Sequence, residues 1–259
     1  MSNARKRSPN LKTLDVAEKE RIEIDYWRDS ETEGPGIDSL DNLLNKMGEA
    51  RIFLAYLRKL RNLHAERGTV FELGAGQGWS SCIYKRLFPQ AEVVATDIST
   101  YAIDSIDFWH RILAVEVDRH YACRSYVTAE ADSSVDLVYC FAAAHHFAEH
   151  ASTLAEVHRI LKPGGRAIYL HEPVCGRLLY PLAYKRVNAV RPEVPEDLLV
   201  VAELREMAAR TGLECTVMSN QELLGSWAFP TANYRLQRLV PLLARFLPSS
   251  ATFVFSKPP

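Results

Sequence analysis

Between residues 68 and 175 the chain alternates short apolar or β-branched runs with longer segments whose apolar residues recur at helical spacing. This is the pattern of repeated βαβ units and a parallel sheet. "TVFEL" predicts a first strand and "WSSCIYKRLFP" the helix behind it, closed by Pro89, with "AEVVATDI" as the second strand. Residues 99–119 carry helical spacing through Ile103, Ile106, Leu113 and Val117; "ACRSYVTAE" then predicts a third strand and "VDLVYCFAA" a fourth, apolar on both faces as a central parallel strand requires. "ASTLAEVHRIL" predicts the next helix, which stops at "KPGG" before a fifth strand, "RAIYLHEP".

The flanks break this alternation. Residues 11–67 hold a polar lead interrupted by Gly and Pro, "YWRDSETEGPG", and then an amphipathic helix over 39–64 with Leu43, Leu44, Met47, Ile52, Phe53, Leu57 and Leu60 on its apolar face. Beyond the fifth strand come a Pro-rich stretch (176–198), a helix "VAELREMAARTG", a strand "LECTVMS", an insertion (220–249) and a last β-run, "ATFVFSKP". The division expected is an N-terminal arm and cap helix over 1–67, and an α/β domain over 68–259 with substrate-cap insertions at 176–198 and 220–249.

The chemistry starts in "VFELGAGQGWSS". Glycines at 74, 76 and 78 between a strand and a helix let the backbone turn tightly and approach a ligand at a helix N-terminus. The dinucleotide fingerprint needs a glycine where Trp79 stands, and a P-loop needs Gly-Lys-Ser/Thr; neither is present. Glu72, at the end of the first strand, repels phosphate and suits an ammonium group. Asp97 ends the second strand, where an acidic side chain accepts hydrogen bonds from ribose hydroxyls. A nucleoside with a cationic amino-acid tail satisfies both.

In order and spacing, "VFELGAGQG", "VVATDIS", "VDLVYCFAAAHHF" and "HRILKPGGRAIYLHEP" resemble the class I S-adenosylmethionine-dependent methyltransferases, over roughly residues 68–175. The resemblance implies a doubly wound, mostly parallel seven-stranded sheet with an antiparallel last strand, plus a helical N-terminal and insertion cap. It implies Glu72, Gly74, Ala75, Gly76 and Gly78 around the methionine moiety, Asp97 on the ribose diol, and Ile98 near the adenine, with Cys140 and Phe141 also at the cofactor. Thr128 stands where the family often has an Asp for the adenine amino group, so that contact is expected from Ala129 and Glu130.

With that cofactor, the protein's task is to align a nucleophile and exclude water. His145 and His146 are the candidate bases for an oxygen or nitrogen acceptor, although one imidazole of such a pair commonly satisfies backbone groups instead. His171 and Glu172 lie at the same C-terminal strand ends and are expected to shape the acceptor pocket or bond to a neighbouring loop rather than act as bases. Tyr26 and Trp27 either close over the ligands or pin the arm to the core. The function expected is methyl transfer to an oxygen or nitrogen of a small metabolite-like or natural-product-like acceptor, the alternative being a protein of this fold that binds the cofactor without methylating, as a regulator or scaffold, or uses it for another reaction.

Composition narrows the partners. With 31 Lys plus Arg against 32 Asp plus Glu there is no global field for nucleic acid, and a homodimer fits as well as a monomer. No apolar run approaches the ~20 residues of a membrane span. "MSNARKRSPN" lacks a signal-peptide core and its "RKRS" reads as a solvated tail, so a cytoplasmic location is expected. Five separated cysteines without a C-x-x-C pair argue against zinc, and no acidic cluster for magnesium is visible, so no metal is expected.

Overall fold

The computed structural model describes residues 14–30, 40–190, 196–225, 232–245 and 249–259. The "RKRS" tail and parts of both predicted insertions lie outside them. In chain order the elements are α1 (Val16–Asp29), α2 (Leu40–Lys59), β1 (Gly68–Leu73), α3 (Trp79–Leu87), β2 (Ala91–Asp97), α4 (Thr100–Ile103), α5 (Ile106–Leu113), β3 (Arg119–Ala122) and β4 (Val135–Phe141). There follow α6 (His150–Ile160), β5 (Leu161–Cys175), α7 (Tyr180–Val190), β6 (Leu199–Val200), α8 (Val201–Arg210), β7 (Glu214–Ser219), α9 (Gln221–Leu224), α10 (Ala232–Leu239) and β8 (Ser249–Ser256).

The strands form one sheet in the order β3-β2-β1-β4-β5-β8-β7, with the two-residue β6 paired to β5. Pairings from β3 through β6 are parallel, and β8 runs antiparallel between β5 and β7. The sheet therefore has eight strands rather than seven; the extra one, β6, is too short for a periodic signal. Helices cover both faces, as the two-sided burial of β1, β2 and β4 demands. One apolar layer joins Phe53 and Tyr56 of α2 to Trp79, Tyr84, Ile106, Trp109 and Tyr139. The other packs α6 and α8 against Phe71, Val138, Tyr169, Phe253 and Phe255.

Three local departures from the sequence reading shape the site. The third strand is Arg119–Ala122, upstream of most of "ACRSYVTAE", and residues 124 and 127 only form an isolated bridge. The polar lead contains a capped helix: Asp15 accepts from the Glu18 N–H and Glu18 reaches back to the Asp15 N–H, a reciprocal pair that starts α1. Finally, β5 is continuous through "KPGG", but its register against β8 shifts between Tyr169 and Glu172, where His171 adopts a left-handed φ of +62°.

Candidate active site

At the C-terminal ends of β1, β2 and β4, a cavity of about 530 Å³ opens beneath α1 and α2. Its floor is the loop Gly74–Gln77 with Asp97 and Ile98; Phe141, His145, His146 and His171 lie along one side, and Glu20, Glu23, Tyr26 and Trp27 of α1 along another. Ligand position at the strand ends, beside the reversal of strand order between β1 and β4, is what doubly wound sheets produce.

The loop is shaped from within. Gly74 and Gly76 have φ of +67° and +53°, and a Cβ on Gly74 would sit 2.8 Å from Ala143 Cβ. The Ala75 N–H donates to Thr96 O, Gly76 N–H to Asp97 Oδ2 and Gly78 N–H to Ala75 O, each at 2.8 Å. With those donors taken, the loop is a poor anion cradle, which supports the exclusion of pyrophosphate. Gly78 caps α3 behind the loop and does not line the cavity.

Glu72 also departs from expectation. Its carboxylate is buried beneath the loop, accepting from Ser80 Oγ (2.6 Å), Ser81 Oγ and Tyr139 OH (2.8 Å), and it is not among the residues lining the cavity. Burial raises its pKa against those three hydroxyls. It ties β1 to α3 and β4 beneath the loop, away from where a ligand's ammonium group would lie in the cavity. Asp97 does line the cavity; besides Gly76, it accepts from the Ser99 N–H at 2.9 Å. Burial pushes its pKa up to about 7, against the pull of these two hydrogen bonds.

The register of β3 moves the adenine end. Ala129 and Glu130 lie away from the cavity, where Glu130 is held by both terminal nitrogens of Arg119 at 2.8 Å and by Tyr121 OH at 2.9 Å. Because β3 ends at Ala122, the residues that reach the cavity are Cys123, Ser125 and Tyr126. Tyr126 OH and Arg124 both donate to Glu20, tying α1 to this loop. Cys140 is likewise buried behind the wall, its Sγ 3.7 Å from Glu172 Oε1, whereas Phe141 faces the cavity.

The bulge in β5 sends His171 and Glu172 to different tasks. His171 enters the cavity wall stacked on Phe141 (centroids 5.6 Å apart, planes at 13°), with Nδ1 3.0 Å from Tyr56 OH. Burial pulls its pKa down to about 4, so it is neutral at physiological pH. Glu172, with no exposed surface, accepts the N–H groups of Ala143 and Ala144 at 3.0 Å and of His145 at 3.2 Å. It fixes the tight turn Ala144–His146 instead of contacting an acceptor.

His145 is clamped by two carboxylates, donating from Nδ1 to Glu172 Oε2 at 2.9 Å and facing Glu196 Oε2 with Nε2 at 3.1 Å. Burial alone would lower its pKa, but the hydrogen bonds to Glu172 and Glu196 outweigh that and raise it to about 10. With Nδ1 on Glu172 and Nε2 on Glu196, His145 in this arrangement turns neither ring nitrogen freely to an acceptor. His146 lies beside it with Nδ1 3.4 Å from Glu23 and Nε2 3.8 Å from Glu196. Tyr26 and Trp27 both line the cavity from α1, and Trp27 packs against Gly76. Glu196, Glu23 and Tyr126 were missed by sequence reasoning, which had no motif to mark them.

The fold is that of the class I methyltransferases, a class whose cofactor is S-adenosylmethionine, and the cavity's lining fits that group: a glycine loop at left-handed φ on its floor, with the Asp97 carboxylate at the end of β2. Residues 71–169 match the family described as methyltransferase domain. Over 115 residues the chain is 29% identical to the ubiquinone/menaquinone biosynthesis C-methyltransferase of Desulfotalea psychrophila, an alignment covering 44% of this chain and 46% of that one, so it spans about half the length of that relative. Among solved structures, the geranyl diphosphate C-methyltransferase of Streptomyces coelicolor, in complex with Mg²⁺, geranyl diphosphate and S-adenosylhomocysteine, superposes with a TM-score of 0.66 at 16% identity, covering 92% of this chain and 98% of that one. The YcgJ protein of Bacillus subtilis does so with 0.57 at 17% identity, covering 83% and 99%. Residues 71–169 thus resemble a methyltransferase domain, and the fold is that of the class I methyltransferases.

Proposed function

We propose that the chain moves the methyl group of S-adenosylmethionine to an oxygen or nitrogen of a small molecule held beneath α1 and α2. The observation that carries this reading is a cavity lined by the glycine loop and by Asp97 at the end of β2. In this reading Asp97, Ile98, Cys123, Ser125 and Tyr126 make the nucleoside end, and Phe141, His146, His171, Glu49 and Ile52 the acceptor end. The cofactor brings an electrophilic methyl on a sulfonium; the chain's residues hold, orient and dehydrate the reactants.

Asp97 would accept the ribose hydroxyls, and the glycine loop would hold the amino-acid tail. Glu20, Glu23, Glu49 and Glu196 face the cavity against the single lysine, Lys46, a balance that favours a cationic or hydrogen-bond-donating acceptor such as an amine or alcohol. His145 is engaged by two carboxylates and His171 is a weak base, so catalysis in this reading rests chiefly on positioning, with His146 the remaining candidate base of the pair. No membrane-spanning helix occurs among the described residues.

Calorimetry with S-adenosylmethionine and S-adenosylhomocysteine tests the first half of this proposal, and mass spectrometry of a +CH₂ product from candidate extracts tests the second. Absence of cofactor binding by folded protein refutes it. Binding without any product across amine and alcohol extracts leaves the cofactor-binding alternative. Since the curated relative and one structural neighbour are C-methyltransferases by name, NMR of a product decides among oxygen, nitrogen and carbon.

A further inference from the structure

His145, His146 and Glu196 bring one nitrogen or oxygen each into a group whose ligand atoms all lie within 4.8 Å of one another. The two imidazoles are arranged alike. Each turns Nδ1 to a carboxylate behind it, His145 to Glu172 (2.9 Å) and His146 to Glu23 (3.4 Å), and each turns Nε2 to the same oxygen, Glu196 Oε2, at 3.1 and 3.8 Å. A carboxylate on Nδ1 is how proteins fix the tautomer and aim Nε2 of a metal-binding histidine. Ligand atoms ~2.0–2.1 Å from a tetrahedral zinc lie ~3.3 Å from one another, which the two Nε2–Oε2 separations bracket.

The elements explain why these groups converge. Glu172 holds the Ala144–His146 turn by three backbone N–H groups, and so sets the direction of both rings. Glu23 arrives from α1 and Glu196 from the segment before β6. Glu196 is itself positioned, its N–H donating to Asn188 Oδ1 at 2.9 Å and its carbonyl accepting from Asn188 Nδ2 at 2.8 Å. All three ligand residues line the cavity, so protein supplies three positions and leaves the remainder facing the acceptor end.

We propose that His145, His146 and Glu196 bind a divalent transition-metal ion, zinc by their donor set, in a three-ligand site open to the cavity; the ion takes the place of the proton between His145 Nε2 and Glu196, which is released to solvent. Glu172 and Glu23 are its positioning residues. The open coordination position takes a hydroxyl oxygen of the acceptor, in keeping with the alcohol that the acidic lining favours. Two imidazoles with one carboxylate form a recurrent zinc donor set, whereas magnesium prefers an all-oxygen shell. The site stands apart from the methyl-transfer reading, because metal uptake is measured with no cofactor present. It reverses the expectation of a metal-free protein, which rested on cysteine spacing and acidic runs and took no account of adjacent histidines meeting a distant glutamate.

The test is zinc titration of the chelator-treated full-length protein by calorimetry, with cobalt(II) as a spectroscopic probe. The expected result is one zinc per chain, visible cobalt bands of a four- or five-coordinate nitrogen and oxygen site, and loss of both in His146→Ala and Glu196→Gln. Both residues are partly exposed, and an unchanged urea midpoint confirms that each variant is folded. Glu23→Ala, which leaves all three ligands in place, should weaken zinc binding about 10–100-fold. Failure of the wild-type protein to take up stoichiometric zinc, or uptake that survives in both ligand variants, overturns the proposal.

Discussion

Asp97→Asn separates the electrostatics of the glycine loop from its shape. In the folded protein the Asp97 carboxyl titrates near pH 7, against 3.8 for the free side chain, because burial disfavours its charged form. Between those pH values the folded chain holds a proton that the unfolded chain has released, so stability falls as pH rises, and it levels off above the folded pKa. At 1.36 kcal/mol per pH unit, the loss from this one group amounts to ~4 kcal/mol across the window from about pH 4 to about pH 7. Asparagine cannot ionise, but its single oxygen must replace two acceptors, leaving either the Gly76 or the Ser99 N–H poorly paired at a cost of about 1–3 kcal/mol.

The variant is therefore expected to be less stable than wild type near pH 4 and to equal or exceed it near pH 8. Urea unfolding of both proteins at intervals across that range measures the difference, and every other titrating group cancels to first order. In parallel, S-adenosylhomocysteine affinity at pH 8 should drop by about 10–100-fold, the worth of hydrogen bonds to a charged acceptor. Parallel stability profiles, with no change in their separation between pH 4 and 8, would refute the burial argument.

Two further outcomes follow from the same loop. Gly78→Ala places a Cβ into the Ile106 side chain at a φ of +78°, and should cost roughly 2–4 kcal/mol in urea unfolding. Glu72→Gln should lower stability while changing cofactor affinity less than Asp97→Asn does, since Glu72 meets Ser80, Ser81 and Tyr139 rather than the cavity; calorimetry giving the opposite order would put Glu72 back on the ligand.

The parallel sheet was legible because its signals are local. The β1, β2 and β4 runs are apolar on both faces, and the helices between them are bounded by Gly and Pro. Where burial is partial the signal fades: β3 is half-exposed, with the pattern exposed, exposed, intermediate, intermediate, so the more regular-looking "ACRSYVTAE" drew the strand several residues downstream. That slip moved the adenine end onto Ala129 and Glu130 and hid Cys123, Ser125 and Tyr126. In α1, charged residues outnumber the apolar ones and only Glu20 and Trp27 are buried, so its helical period is carried by a capping box instead of an apolar stripe. Glu196 could not be read at all, because its partners sit about 50 residues earlier in the chain and its own neighbourhood looks like a Pro-rich connection.

The inward-facing bonds of the glycine loop bear on the thermodynamics of recognition. Glu72, Thr96 and Asp97 hold the loop by hydroxyls and backbone N–H groups that need no ligand. The conformational entropy of ordering it is consequently spent during folding and not at the moment of association. Such a preorganised floor gives a cofactor heat of binding free of any loop-closure contribution, and it leaves whatever rearrangement accompanies the acceptor to the helices above.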